Sequence, residues 1–184
     1  MKVYLDSGVF IDLLATRGHA AYLRTTKRRG RDPERLRADA ENCLTAIQRR
    51  HSAATSTITC WEVEEAMYRE LVRRSPEAGV TARGVLVAAA RLLVTQTLGI
   101  IDYFQIQLVD LTRLIVTAQS ANLELQNRGI RAADALHITT AIAEGAELLI
   151  TTDANLIRLD NVFENSAGAS LHCVDTDQAL SLLA

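Results

Sequence analysis

Aromatic residues make up only 4% of this 184-residue chain, so its 48% hydrophobic content falls mainly to Ala, Leu, Ile and Val. Such a core suits helices packed on a buried parallel sheet. Proline is almost missing, with two residues, and glycine stops at nine. That scarcity argues against a disordered chain and against an all-β fold built from many turns. The cysteines Cys43, Cys60 and Cys173 are odd in number, far apart, and without the paired spacing of a zinc site or disulfide framework. They point to a reducing compartment, and the expected location is the cytoplasm. No G-x-G-x-x-G or G-x-x-x-x-G-K-[ST] occurs, so neither a dinucleotide fold nor a P-loop has its signature. Met1 to Leu14 is interrupted by Asp6 and Asp12, which makes a poor signal peptide, and Val85 to Val94 is broken by Arg91 and too short to span a bilayer. No membrane partner is expected.

Charge is present in quantity but segregated. Ten basic and four acidic residues lie between Arg17 and Arg50, a local balance of +6 in a chain of formal net charge -2, which leaves -8 for the remainder. An acidic body with one basic arm is compatible with a metal-binding centre beside a phosphate-attracting surface. A solvated helix of mixed charge explains the arm as well.

The length allows one substantial core and not two full domains. Lys2 to Leu5 reads as a strand ending at Asp6, and Val9, Phe10, Leu13 and Leu14 have the spacing of a helix. Thr16 to Pro33 lacks periodicity and reads as a loop or helical extension, before a helix from about Glu34 to Arg50. Ala53 to Thr57 suggests a second strand, followed by a helix carrying Trp61, Val63, Met67 and Leu71. Pro76 and Gly79 end that helix, and Thr81 to Leu98 folds back as the second arm of an α-hairpin. Phe104, Ile106, Leu108 and Val109 suggest a third strand. Leu111 to Asn127 and Arg131 to Glu144 read as helices, Glu147 to Ile150 as a fourth strand, Ala154 to Leu159 as a short helix, and Leu171 to Val174 as a fifth strand. This alternation predicts a three-layer α/β fold with a mostly parallel, about five-stranded central sheet flanked by helices.

Ligands of open α/β sheets gather at the carboxyl ends of the strands. Asp6 and Asp153 end predicted strands, while Glu62 and Asp134 fall near the starts of predicted helices that can face the same edge. Taken singly, Asp6 and Asp153 could be helix N-caps, Asp134 a partner of its helix dipole, and Glu62 a solvated residue beside Glu64 and Glu65. The joint reading gains weight from the apolar setting of Asp134, between Ala133 and Ala135 with Leu136 and Ile138 beyond, where a lone carboxylate is costly and a cation resolves the cost. An oxygen-only set suits Mg²⁺ or Mn²⁺ rather than zinc, with one ion or two left open. His137, three residues after Asp134, could support the site or be simply packed or solvated. Trp61 reads as a core or dimer anchor.

Four segments carry a resemblance: Val3-Tyr4-Leu5-Asp6-Ser7 with Phe10-Ile11-Asp12-Leu13-Leu14; Ser56-Thr57-Ile58-Thr59-Cys60-Trp61-Glu62-Val63; Arg131-Ala132-Ala133-Asp134-Ala135-Leu136-His137; and Leu149-Ile150-Thr151-Thr152-Asp153. Together they resemble, in order, the four acidic blocks of the PIN-domain nucleases, and within them the VapC-type toxins of bacterial toxin–antitoxin pairs. The resemblance implies one PIN-like domain over residues 1–184, with a basic insertion at about 17–37 and a helical hairpin at about 63–98. It implies an endoribonuclease whose Asp6, Glu62, Asp134 and Asp153 hold Mg²⁺ or Mn²⁺, a homodimer, and a cognate VapB-type antitoxin. Gly8 stands where the family often has Ser, Thr or Asn, and Asn155 where a further acid is common. The insertion and hairpin could bind RNA or an antitoxin, or enlarge the core.

An aspartyl-phosphate phosphatase would need a second Asp at the position of Gly8. The non-enzymatic alternative is a catalytically silent PIN-like module that binds RNA or a partner, and retention of all four acids speaks against it.

Overall fold

A computed structural model describes residues 1–15, 27–77 and 79–184. Five strands, β1 (Lys2–Leu5), β2 (Ser52–Ser56), β3 (Gln107–Val109), β4 (Leu148–Ile150) and β5 (His172–Val174), form one sheet in the order β3-β2-β1-β4-β5. Every pairing is parallel, with Val3 opposite Ala53 and Leu148, and Leu149 opposite Cys173. A wholly parallel sheet places the carboxyl ends of all its strands on one edge, and that edge carries Asp6, Thr151 to Asp153, and Asp175.

The helices are α1 (Ser7–Leu14), α2 (Pro33–Arg50), α3 (Ile58–Arg74), α4 (Val80–Tyr103), α5 (Arg113–Ala121), α6 (Leu123–Asn127), α7 (Ala132–Ala143), α8 (Ala154–Ile157) and α9 (Thr176–Leu182). Alternation along the central strands divides the core into two layers. Val3 and Leu5 of β1, with Leu148 and Ile150 of β4, pack on Phe10, Leu13, Leu44, Val63, Met67 and Leu93. Tyr4 and Leu149 point the other way, onto Ile115, Leu125, Ile138 and Leu156. Both faces are therefore covered, which is why Val3 to Leu5 of β1 and Leu148 to Ile150 of β4 read as unbroken apolar runs.

Local signals explain most boundaries. Asp32 caps α2 by accepting from Arg35 N at 2.8 Å, Pro33 opens the helix, and Arg49 and Arg50 sit at its carbonyl end. Three boundaries depart from the sequence reading. The segment read as a third strand yields only β3, because α4 continues through Tyr103 and Phe104 caps it. The single helix expected from Leu111 to Asn127 is broken at Asn122, whose side chain accepts from Leu125 N at 3.2 Å and starts α6. The unanticipated α9 begins with a capping box, Asp175 with Gln178.

The 24-residue α4 is the one helix among the described residues long and apolar enough to cross a membrane by length and composition, which corrects the shorter run expected from sequence. It packs along α3, as the hairpin reading requires, with Ala90, Leu93, Thr97 and Ile101 buried. Trp61 is 70% exposed, so it is not a core anchor. Cys43, Cys60 and Cys173 are free and buried, and burial pushes the Cys43 and Cys173 thiols up to about 12.

Part of the basic arm, residues 16–26, lies outside the described residues. In the described part, Arg28 and Arg31 turn inward, while Lys27, Arg35, Arg49 and Arg50 are exposed. Arg28 and Arg31 pair across a two-residue turn, N to O at 2.9 and 3.0 Å, in which Arg29 and Gly30 take φ of +50° and +77°, a conformation that favours glycine. Arg28 grips Asp12 with both terminal nitrogens at 3.0 and 2.6 Å and reaches Asp175 at 3.3 Å. Arg29 adds a contact to Asp175 at 3.3 Å, and Arg31 bonds Asp175, Thr176 and, at 2.9 Å, Asp39. Asp12, Asp39 and Asp175 are essentially inaccessible. The turn thus ties α1, α2 and α9 together through buried ion pairs rather than presenting a solvated charged face.

Candidate metal centre

Asp6 leaves β1 at the carboxyl edge, its N–H still paired to Ile150 O at 3.0 Å. It is both a helix cap and a member of the acidic cluster. Its Oδ1 accepts from Ser7 N at 2.7 Å and Ser7 Oγ at 3.2 Å, while Oδ2 accepts from Thr151 Oγ1 at 2.6 Å. These bonds fix the carboxylate plane and leave it 5% exposed. Asp153 likewise caps α8 by accepting from Asn155 N at 2.6 Å, and its own N–H is held by Thr151 Oγ1 at 3.1 Å. Thr151 therefore positions the ends of β1 and β4 together, a role with no distinct mark in the sequence.

Glu62 projects from α3 and accepts from His137 Nε2 at 2.7 Å through Oε2. Burial alone would raise its carboxyl, but the bond and charge of His137, with a bond from Ser7, hold it below the usual range. His137 is wholly buried, its Nδ1 3.0 Å from Tyr4 Oη and its Nε2 3.5 Å from Asp6 Oδ1. Burial opposes the imidazolium, yet Asp6, Glu62 and Asp134 outweigh it and shift the imidazole upward. Of the sequence alternatives for His137, the solvated one is excluded, and the residue stands inside the acidic cluster.

Asp134 occupies the first turn of α7. Burial, followed by the charges of Asp153, Asp6 and Glu62, pushes its carboxyl up to about 6. The four acids singled out in the sequence thus share one electrostatic neighbourhood. Among the described residues, no Lys or Arg pairs with any of them. Ligand atoms of Asp6, Glu62 and His137 lie within 4.8 Å of one another, with His137 the sole basic group in that set.

The donor chemistry fits a hard divalent cation. Carboxylate oxygens dominate, and burial together with the charges of Asp153, Asp6 and Glu62 raises the Asp134 carboxyl despite the opposing charge of His137. A cation would offset those acidic charges.

Gly8 has a specific reason at this edge. A Cβ built there would fall 2.0 Å from Thr152 Oγ1 and 2.9 Å from Thr152 Cβ, so the Thr152 side chain fills the space a residue-8 side chain would need. Gly8→Ala is expected to cost about 1–3 kcal/mol by overpacking. Urea denaturation checks it, with partial recovery expected when Thr152→Gly is added. An unchanged midpoint in the single variant would show that the two backbones are not held at this separation.

Comparison with known proteins bears on the whole arrangement. The family model described as "PIN domain" matches residues 3–162. The crystal structure of VapBC2 from Rickettsia felis bound to a DNA fragment from their promoter is similar to this chain at a TM-score of 0.50. That similarity covers 94% of this chain and 98% of that one at 16% identity, a likeness of fold. No curated protein matches the chain.

Proposed function

The chain belongs to the PIN-domain family, and from that premise we propose that it is a metal-dependent endoribonuclease, acting as the toxin of a toxin–antitoxin pair. The observation that carries the nuclease reading is the convergence of Asp6, Glu62, Asp134 and Asp153 at one sheet edge, where burial first and the charges of the other three acids second push the Asp134 carboxyl up to about 6.

In the proposed site these four residues hold Mg²⁺ or Mn²⁺. Such an ion supplies an activated water and neutralises charge on the scissile phosphate. Asp6 presents oxygens already oriented by Ser7 and Thr151, so little rotamer freedom remains to be lost when the site fills. Asp134 is partly exposed, and burial and the neighbouring acids raise its carboxyl, so a cation there favours its ionised form. Arg28, Arg29 and Arg31 are engaged with buried carboxylates, so these three residues of the basic arm serve the fold before they serve RNA.

The antitoxin and a second copy of the chain are proposed partners. Large apolar residues exposed on α3 to α6, including Trp61, Val85, Leu92, Leu114 and Leu123, support a covered surface in the assembled protein. A reading frame immediately upstream encoding a small DNA-binding protein supports the toxin role, and its absence favours a stand-alone nuclease. The free buried cysteines agree with a cytoplasmic location.

The deciding experiment incubates purified protein with single-stranded and structured RNA in Mg²⁺, Mn²⁺ or EDTA. Cleavage confined to the metal arms is expected. Metal-independent cleavage, or RNA binding with no cleavage under either ion, overturns the proposal.

A further inference from the structure

Tyr4, His137 and Glu62 form a chain of contacts linking β1, α7 and α3. His137 is wholly buried and lies one turn beyond Asp134 on α7. Its ring meets Tyr4 edge-on, with centroids 5.8 Å apart and planes at 65°, so Nδ1 points at the hydroxyl 3.0 Å away. Its other nitrogen lies 2.7 Å from Glu62 Oε2. An ionised carboxylate only accepts, so a contact this short requires the proton on Nε2. With Nδ1 occupied by Tyr4 and Nε2–H committed to Glu62, the imidazole has no lone pair left to offer the acidic cluster.

We infer that His137 is a positioning residue and not a metal ligand: Tyr4 fixes the ring, the ring holds Glu62 Oε2, and Glu62 Oε1 is left to face the cation. The inference rests on the metal-site reading above. Beyond the contact it takes from Ser7, Glu62 needs such a partner. It comes from a helix whose N-terminus has no side-chain cap, and its side chain has three rotatable bonds and is 22% exposed. Asp6, by contrast, is held by its own neighbours Ser7 and Thr151. His137 extends the same restraint to Glu62, which lies 75 residues from it in sequence. Partners that orient a metal's ligands typically contribute 10–100-fold in affinity.

The test is Mn²⁺ binding, followed calorimetrically and by pulsed electron paramagnetic resonance, with no substrate present. Wild type is expected to bind Mn²⁺ without a directly coordinated nitrogen signal. His137→Leu should weaken binding by about 10–100-fold. His137→Gln, whose amide can donate to Glu62 from a similar reach, should recover most of that loss. Tyr4→Phe should weaken binding by a smaller factor, because the ring loses its anchor and keeps its donor. Should His137→Leu fail to fold, the wild-type resonance spectrum and the Gln and Phe variants still decide. A coordinated nitrogen in wild type makes His137 a ligand and overturns the inference. So does Mn²⁺ affinity that is unchanged in folded His137→Leu, or unrecovered in folded His137→Gln. If wild type binds no Mn²⁺, the metal-site reading itself fails and takes the inference with it, an outcome distinct from the others.

Discussion

Asp134→Asn is expected to reduce RNA cleavage by at least about 100-fold while making the metal-free protein more stable near pH 7. The loss of activity follows from removing an acid from the centre of the cluster, where even partners that merely orient ligands contribute 10–100-fold. The gain in stability follows from electrostatics. Burial and the charges of Asp153, Asp6 and Glu62 raise the Asp134 carboxyl from 3.8 to about 6. Between those values the folded state holds a proton that the unfolded state has lost, so this group makes stability fall as pH rises through that window, and the penalty stays in place above it. The α7 dipole works the other way, favouring a carboxylate in its first turn by about 0.3–1 kcal/mol, but the upward shift shows that repulsion and burial win. Discounted for the half-exposed position, the relief in the Asn variant is about 1 kcal/mol. Denaturant melts in EDTA from pH 4 to 8 should show a shallower decline in the variant, and added Mn²⁺ should stabilise wild type more than the variant. A variant less stable than wild type at pH 7 in EDTA would remove the frustration on which the metal reading leans.

The site was more legible in the sequence than the scaffold details around it. Asp6 and Asp153 follow apolar runs whose direction is fixed once the sheet is parallel, so their convergence needed only β1 and β4 to be neighbours, as they are. The role proposed for His137 was half visible: its spacing from Asp134 puts both on one side of α7, but nothing local reveals that Tyr4 lies across from it. Other features were hidden for physical reasons. Ile100, Ile101, Tyr103 and Phe104 are apolar enough to continue α4 or to begin β3, and a short apolar run does not decide between helix and strand. Asn122 breaks a helix because its side chain competes for a backbone N–H, a local preference that the apolar spacing around it does not reveal. The α9 start did carry a signal, Asp175 three residues before Gln178. Least legible was the inward turn at Arg28 to Arg31, since a run of arginines reads as surface unless its acidic partners are known, and Asp175 lies 144 residues from Arg31.

That turn carries the second large effect. Asp175→Asn should destabilise the fold by about 3–5 kcal/mol, the range for breaking a buried ion pair from one side. Asp175 is fully buried and receives Arg28, Arg29 and Arg31, while its Oδ1 also caps α9 by accepting from Thr176 N at 2.7 Å. Asparagine can keep that cap through its carbonyl oxygen, so the expected loss isolates charge from capping. What remains is a buried cluster in which the Nε of Arg28 and of Arg31 already has no partner among the described residues, and in which the cationic side now exceeds the anionic. Exposed pairs give a useful contrast: Arg69 with Glu65, both well exposed on α3, should contribute at most about 1 kcal/mol. Guanidinium or urea titration of Asp175→Asn and Glu65→Gln side by side measures the difference. If the folded fraction of Asp175→Asn cleaves RNA at the wild-type rate, the turn is a clamp on α1, α2 and α9 and not part of the substrate surface. A small stability change with a large loss of cleavage would reverse that assignment and return Arg28 to Arg31 to the phosphate-attracting role their charge first suggested.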